Sequence, residues 1–477
     1  MSFISIEFII FAFIVFPLYF LLPARRRWIL LLITSYIFYA FSRASYIFLI
    51  AFSTWIDYWV ARNLGNTPAE QRRKRQLLLL TSITVNLGVL FIFKYFNFFS
   101  SSIAFLTGQA PLSLDVILPV GISFYTFQSM AYTIDVYRGL VQPEKHFGIF
   151  ATYIAFFPQL VAGPIERAPN LLPQFRKVFN FDYDRVVSGL RLVLWGAFKK
   201  VFIADRLAVY VNAVYNDLPS YSGLPLWVAT FFFAFQIYCD FSGYSDIAIG
   251  LARIMGFDLM KNFDQPYFSQ SISEFWRRWH ISLSTWFRDY VYIPLGGNRV
   301  SLVRNLVNLF IVFLVSGLWH GANWTFVLWG AIHGVVVVIE TAYRRLIPKK
   351  KHLHIPAFIR WGFTFAIADF AWIFFRANSI QDAGYVLSKL FDFSQGRSTL
   401  LQPLFSLALD PRIEFLLLGG SVVLLLGIEW LNRHVQLEAK VMRRPLVRWV
   451  LYYAGALAVL FAFLNTLTAE PFIYFQF

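Results

Sequence analysis

Apolar runs of roughly 18 to 25 residues recur along the chain, the length a helix needs to cross about 30 Å of hydrocarbon. They predict helices near 4–22, 27–42, 45–61, 77–99, 116–137, 147–162, 186–213, 225–254, 302–319, 324–343, 357–375, 413–431 and 447–467. The pattern is that of an all-α integral membrane protein with roughly 11–13 transmembrane or re-entrant helices. No fixed-period repeat and no low-complexity linker divides it, so 1–477 reads as a single polytopic membrane domain, ending in an aromatic tail over 468–477. The stretch 264–299 breaks the pattern, being too polar to span and too aromatic to float free. Within it Trp276, Trp279, Leu283, Trp286 and Tyr290 recur at three- and four-residue spacing. That stripe predicts an amphipathic helix, interfacial or re-entrant, with Arg277, Arg278, Arg288 and Asp289 largely off it. Pro294 and the Gly296–Gly297 pair close it.

Composition strengthens the membrane reading. The chain is 58% hydrophobic and 14% charged, against about 25% charged in soluble domains. The formal charge of +16 would suggest nucleic acid in a soluble chain. Here the basic residues gather in short loops, at Arg25–Arg27, Arg72–Arg75, Lys349–Lys351 and around Arg443, Arg444 and Arg448, as cytoplasmic loops do. With those loops inside, both termini and the loop 376–411 fall outside. Nucleic acid is excluded as a partner, and membrane lipid surrounds the chain. The first apolar run lacks a basic leader and a small-residue cleavage site, so it reads as a retained span. A single cysteine, Cys239, excludes an internal disulfide.

Ionisable groups at membrane depth are costly and point to function. His320 lies in GLWHGANW between Gly317 and Gly321, which would let the backbone bend and a substrate approach, with Asn323 as a hydrogen-bonding neighbour. A buried imidazole there can act as a general base without carrying a permanent charge; it can equally be a structural histidine bonded to a carbonyl. His280 sits on the aromatic stripe, and His333 shares a helical face with Glu340; both also read as packed histidines. Asp240 and Asp246, in QIYCDFSGYSDIAIG, suggest a polar channel wall or acids satisfied at a helix break. No HExxH, CxxC or 2-His-1-carboxylate spacing is present, so no metal is expected. Walker A, GxSxG and dinucleotide fingerprints are missing too.

At these residues the chain resembles a known family. QPYFSQSISEFWRRWHISLSTWFRDYVYIPLGGNR followed by GLWHGANWTFVLWGAIHG is similar to the membrane-bound O-acyltransferases, and within them to the bacterial alginate O-acetyltransferase type. DFSGYSDIAIG, LPVGISFYTFQSMAYTIDVYRG and FFPQLVAGPIER match that subgroup as well; the block 378–435 matches least. The resemblance implies a ring of tilted helices around a membrane-crossing tunnel. It implies His320 as the catalytic histidine and His280 as its upstream Asn-or-His partner.

It also implies an acetyl donor on the cytosolic side, acetyl-CoA, with no bound cofactor. The donor would enter beneath the amphipathic helix near Trp279, where Arg277, Arg278, Lys261 and Arg299 would attract its phosphates. The C-terminal PFIYFQF fits an F-x-Y-x-x-F pattern through Phe472, Tyr474 and Phe477, and resembles an acyl-relay tail in which Tyr474 would carry the acyl group. The same residues would also serve as an aromatic interface belt. The implied partners are a periplasmic SGNH-type acetyltransferase or related acetylation factor and a polysaccharide synthase complex. The implied setting is the bacterial inner membrane, and the product an O-acetylated exopolysaccharide such as alginate or cellulose. Three rivals stand beside this reading: a transporter or flippase, a structural subunit of a synthase complex, and D-alanyl transfer to teichoic acid.

Overall fold

The computed structural model describes residues 1–161, 163–348, 353–396, 399–405, 409–435, 440–441, 443–465 and 472–473. Among these residues the regular elements are all helical. Seven described helices are long and apolar enough to cross a membrane: Arg72–Thr107, Leu224–Met255, Leu302–His320, Trp324–Leu346, Ala357–Arg376, Pro411–Val435 and Pro445–Leu464. Ile6–Leu21 is equally apolar but shorter. Their outward faces are hydrocarbon-like, with Phe13, Phe105, Phe358 and Leu446 all exposed. Backbone polar groups close within each helix, the arrangement that lipid demands. The chain is therefore a multi-pass α-helical membrane protein.

The expected spans coincide with observed helices, apart from a late start at Ile122 in 116–137 and a break in 147–162. The run 147–162 does not cross as one rod. It forms Phe147–Ala155 and Phe157–Leu160, parted at Phe156, because Pro158 cannot donate to a continuing helix. The amphipathic stripe over 264–299 is also interrupted, into Ile272–Arg278 and Ile281–Phe287.

Where the sequence reads as one domain, the fold divides into two compact units. The first comprises Met1–Val193 with Ser245–Lys261, the second Leu194–Tyr244 with Asn262–Phe477. Two of the boundary's three crossing points leave no loop behind them, since they fall inside the helices Tyr183–Ala197 and Leu224–Met255; the third, at Lys261–Asn262, lies in the stretch between helices. In the first unit a buried polar cluster joins helices. Asp57 accepts from Ser82 at 2.5 Å and from Asn86 at 2.9 Å, and Ser53 donates to Asn86 at 2.9 Å. Glu166, fully buried, accepts from the Met260 amide at 2.5 Å and from Asn170 at 2.7 Å, tying 163–167 to 256–261.

In the second unit, Leu302–His320 and Trp324–Leu346 form an antiparallel hairpin whose backbones touch. A methyl group at Gly317 would lie 3.2 Å from the Gly330 Cα and against the Phe326 carbonyl. Small residues are what permit so close a crossing in a membrane. Gly317 thus serves helix packing, not the substrate approach expected of it. Gly321 is extended and lies against the Phe326 ring, so it supplies no special bend.

Candidate active site

The site is built around the break in the amphipathic stripe. Ile272–Arg278 starts with strong caps. Ser271 accepts from the Glu274 amide at 3.1 Å, and Glu274 reaches back to the Gln270 amide at 3.0 Å. From Trp324–Leu346, Glu340 accepts from the Ile272 and Ser273 amides at 2.7 and 3.0 Å, a carboxylate at the positive end of the short helix. The helix ends at Trp279, which is extended, and His280 follows at φ 43°, ψ 56° before Ile281–Phe287 begins. A non-glycine residue in the left-handed region costs of order 1–3 kcal/mol and persists only where its surroundings impose it.

Those surroundings are the segment 262–264. The Ile281 amide donates to the Asn262 carbonyl at 2.9 Å, and the Asp264 amide to the Arg278 carbonyl at 2.9 Å. The Asn262 side chain then accepts from the Ser282 amide at 3.2 Å and its hydroxyl at 2.9 Å. Backbone groups freed by the broken helix are thus satisfied on both sides of His280. Gln265 at φ 48° is the other non-glycine residue with positive φ among those described, so both strained positions lie within the stretch 264–299.

This strain aims His280 at His320. Their ring centroids lie 6.3 Å apart at 55°, with exposures of 0% and 2%. The walls are aromatic. Trp319 stands 5.0 Å and Trp329 4.9 Å from the His320 ring, Phe375 5.5 Å from it, and Phe241 4.6 Å from His280. Burial pushes the His280 imidazole below its ordinary pKa, which keeps it neutral near pH 7. His333 lies 5.1 Å from both Trp276 and Trp329 and packs the face that Glu340 caps. Two imidazoles so placed can both reach a reacting group between them, since a hydrogen-bonded approach needs only about 3 Å on each side.

The remaining expected site residues fall elsewhere. Asn323 accepts from the Thr325 amide and donates to the Asn378 carbonyl, each at 3.0 Å; it caps Trp324–Leu346 instead of serving His320. Trp279 is a fully buried packing residue, 5.1 Å from both Phe263 and Trp372. Arg277 is exposed, whereas Arg278 is held by Glu274 at 3.0 Å and Asp264 at 3.7 Å, which spends much of its charge locally. Asp240 pairs with Lys200 at 2.5 Å. Asp246 lies six residues further along the same helix, about 120° around it, so the two acids project from different faces of that helix.

Tyr474 and Phe477 lie outside the described residues, but Phe472 and Ile473 are described. Both are buried, at 1% and 4% exposure. Phe472 packs 4.6 Å from Tyr244 and 5.6 Å from Phe241, and the Ile473 amide donates to Asp240 at 2.7 Å. Sequence reasoning missed Asn262, whose role is a backbone clamp with no motif. It also missed Lys199 and Lys200, although two lysines inside an apolar run are a recognisable signal of buried function.

His280 on its strained turn and His320 at a helix end form a buried pair inside a polytopic helical protein, and similarity to known proteins identifies the family. The family model for the membrane-bound O-acyltransferases matches residues 45–380. The chain belongs to that family and is an acyltransferase. It is 41% identical over 428 residues to a probable alginate O-acetylase of Azotobacter vinelandii, covering 88% of this chain and 84% of the relative. It is 38% identical to a probable alginate O-acetylase of Pseudomonas putida, covering 96% of both chains. A peptidoglycan O-acetyltransferase of Helicobacter pylori is 36% identical over 75% of this chain and 72% of its own.

Proposed function

We propose that this enzyme takes an acetyl group from cytosolic acetyl-CoA and delivers it across the inner membrane toward an exopolysaccharide such as alginate, through a periplasmic acetyltransferase partner. The observation that carries the reading is the facing of His280 and His320 inside a buried aromatic box. His320 accepts the proton of the attacking hydroxyl as its oxygen bonds to the thioester carbonyl carbon. Neutral His280, an N–H donor on one side, stabilises the charge that develops on the carbonyl oxygen. Collapse of the tetrahedral adduct breaks the carbon–sulfur bond, and the proton on His320 passes to the departing thiolate. The aromatic walls exclude water, which would otherwise hydrolyse the thioester.

The relatives named as acetylases and acetyltransferases support the acetyl group and the polymer class. Tyr474, one residue past the buried Ile473, is the acceptor we favour within the chain. In membranes supplied with radiolabelled acetyl-CoA, His320→Ala should lose at least about 10²–10⁴-fold of acetyl transfer while still being inserted at parental levels. Undiminished transfer by that variant would refute the assignment. Loss of label from the polymer in Tyr474→Phe supports the relay; full polymer labelling rejects it.

A further inference from the structure

The second unit contains a charged cluster that the chemistry above does not use. The wide helical turn Phe198–Ala204 points Lys199 and Lys200 inward. Lys199 donates to Ser242 at 2.9 Å. Lys200 Nζ lies 2.6 Å from Asp205 and 2.5 Å from one oxygen of Asp240, with all three side chains at most 4% exposed. Lys200 is thus shared between two carboxylates in an apolar interior. Such a group is tolerable only if its remaining lone pairs are satisfied. The second Asp240 oxygen is satisfied by a donor from the far end of the chain, the Ile473 amide at 2.7 Å.

We propose that Lys200, Asp205 and Asp240 form a buried ionic latch that holds the C-terminal segment of this chain at Phe472 and Ile473. Its purpose rests on the relay reading; its existence does not. Recognition is divided between two contacts. Asp240 grips a backbone amide, while the Phe472 ring fills the space between Tyr244 and Phe241. Phe241 also forms the wall 4.6 Å from His280, so the docked segment and the histidine pair share one side chain. Lys200 orients the Asp240 carboxylate, and Asp205 fixes Lys200. These are positioning residues. A bridge that merely joined two helices would use the same ions but would be indifferent to residues 472–473.

The test uses the full chain with Ile473→Cys, a change that keeps the backbone amide. The native cysteine, Cys239, is fully buried, so a polar maleimide should leave it unlabelled. Labelling of Cys at 473 should be slow, and Asp240→Leu should speed it by about tenfold or more. Asp240→Asn keeps an acceptor oxygen for the amide and should restore slow labelling to within about threefold of the parent. In the native background, Asp240→Leu should lower polymer acetylation turnover by about tenfold without raising the KM for acetyl-CoA. Labelling as slow in Asp240→Leu as in the parent overturns the latch, as does a KM effect in place of a turnover effect.

Should Asp240→Leu not be recovered as monodisperse protein, Phe472→Ala at the chain end replaces it, with the same acceleration expected and the same unchanged rate overturning the proposal. The relay is judged separately. Full activity in Tyr474→Phe with rapid labelling in Asp240→Leu removes the relay and leaves the latch. An inactive Tyr474→Phe with unchanged labelling does the reverse.

Discussion

His280 carries two burdens at once, an imidazole in the acyl-transfer site and a backbone in the left-handed region. Asparagine adopts that region more readily than other non-glycine residues, whereas alanine has no side chain that favours it. His280→Asn should therefore keep the turn, and with it measurable acetyl transfer. His280→Ala should lose about 1–2 kcal/mol of stability and most of the activity, a contrast that thermal unfolding and radiolabel assays can read together. His280 and His320, which the resemblance singled out, both lie in long motifs, and their rings stand 6.3 Å apart. Asn323 was misread because its neighbourhood in sequence suggested proximity to His320, while its position, just before Trp324, made it a helix cap. Asn262 was illegible: nothing about a lone asparagine announces that its carbonyl and side chain will clamp a turn twenty residues later.

Among elements, the apolar spans were read almost to their ends because lipid demands a long uninterrupted signal. The broken stripe was not, for a physical reason. Trp276 and Trp279 on one side, and Leu283 and Trp286 on the other, are all buried, so the three- and four-residue rhythm runs through the kink unchanged. Periodicity reports which side chains face inward and is blind to a two-residue change of backbone. The hairpin of Leu302–His320 and Trp324–Leu346 makes a sharper prediction. Gly317→Ala pushes a methyl group into the Phe326 carbonyl and should reduce the yield of monodisperse protein severalfold. Gly362→Ala, in a helix with nothing within 4 Å of the added carbon, should be neutral or stabilising by up to about 1 kcal/mol. Size-exclusion profiles of the two variants, side by side, decide it.

For the molecule as a whole, the two compact units were hidden from sequence because two of the three places where the chain passes between them lie inside continuous helices. The first is fastened by Glu166, whose pKa burial raises from 4.5 to about 7. The folded state therefore holds a proton that the unfolded chain releases above pH 4.5. This contribution is complete below pH 4.5 and fades as pH rises toward 7, at up to about 1.4 kcal/mol per pH unit. Thermal unfolding of purified protein should show that decline over pH 4.5–7, and Glu166→Gln should flatten it; an equal slope in both proteins would contradict the assignment.

The division also imposes an order on synthesis. Arg206, in the helix Asp205–Tyr215, finds its buried counter-ion in Glu414, 208 residues later. At about 5–20 residues per second, the ribosome leaves that arginine waiting some 10–40 seconds. The first unit, too, cannot close until Ser245–Lys261 has been made. The nascent chain must therefore be sheltered at the insertion machinery for much of its synthesis, and variants that slow translation between 206 and 414 should raise its degradation while leaving the finished enzyme unchanged.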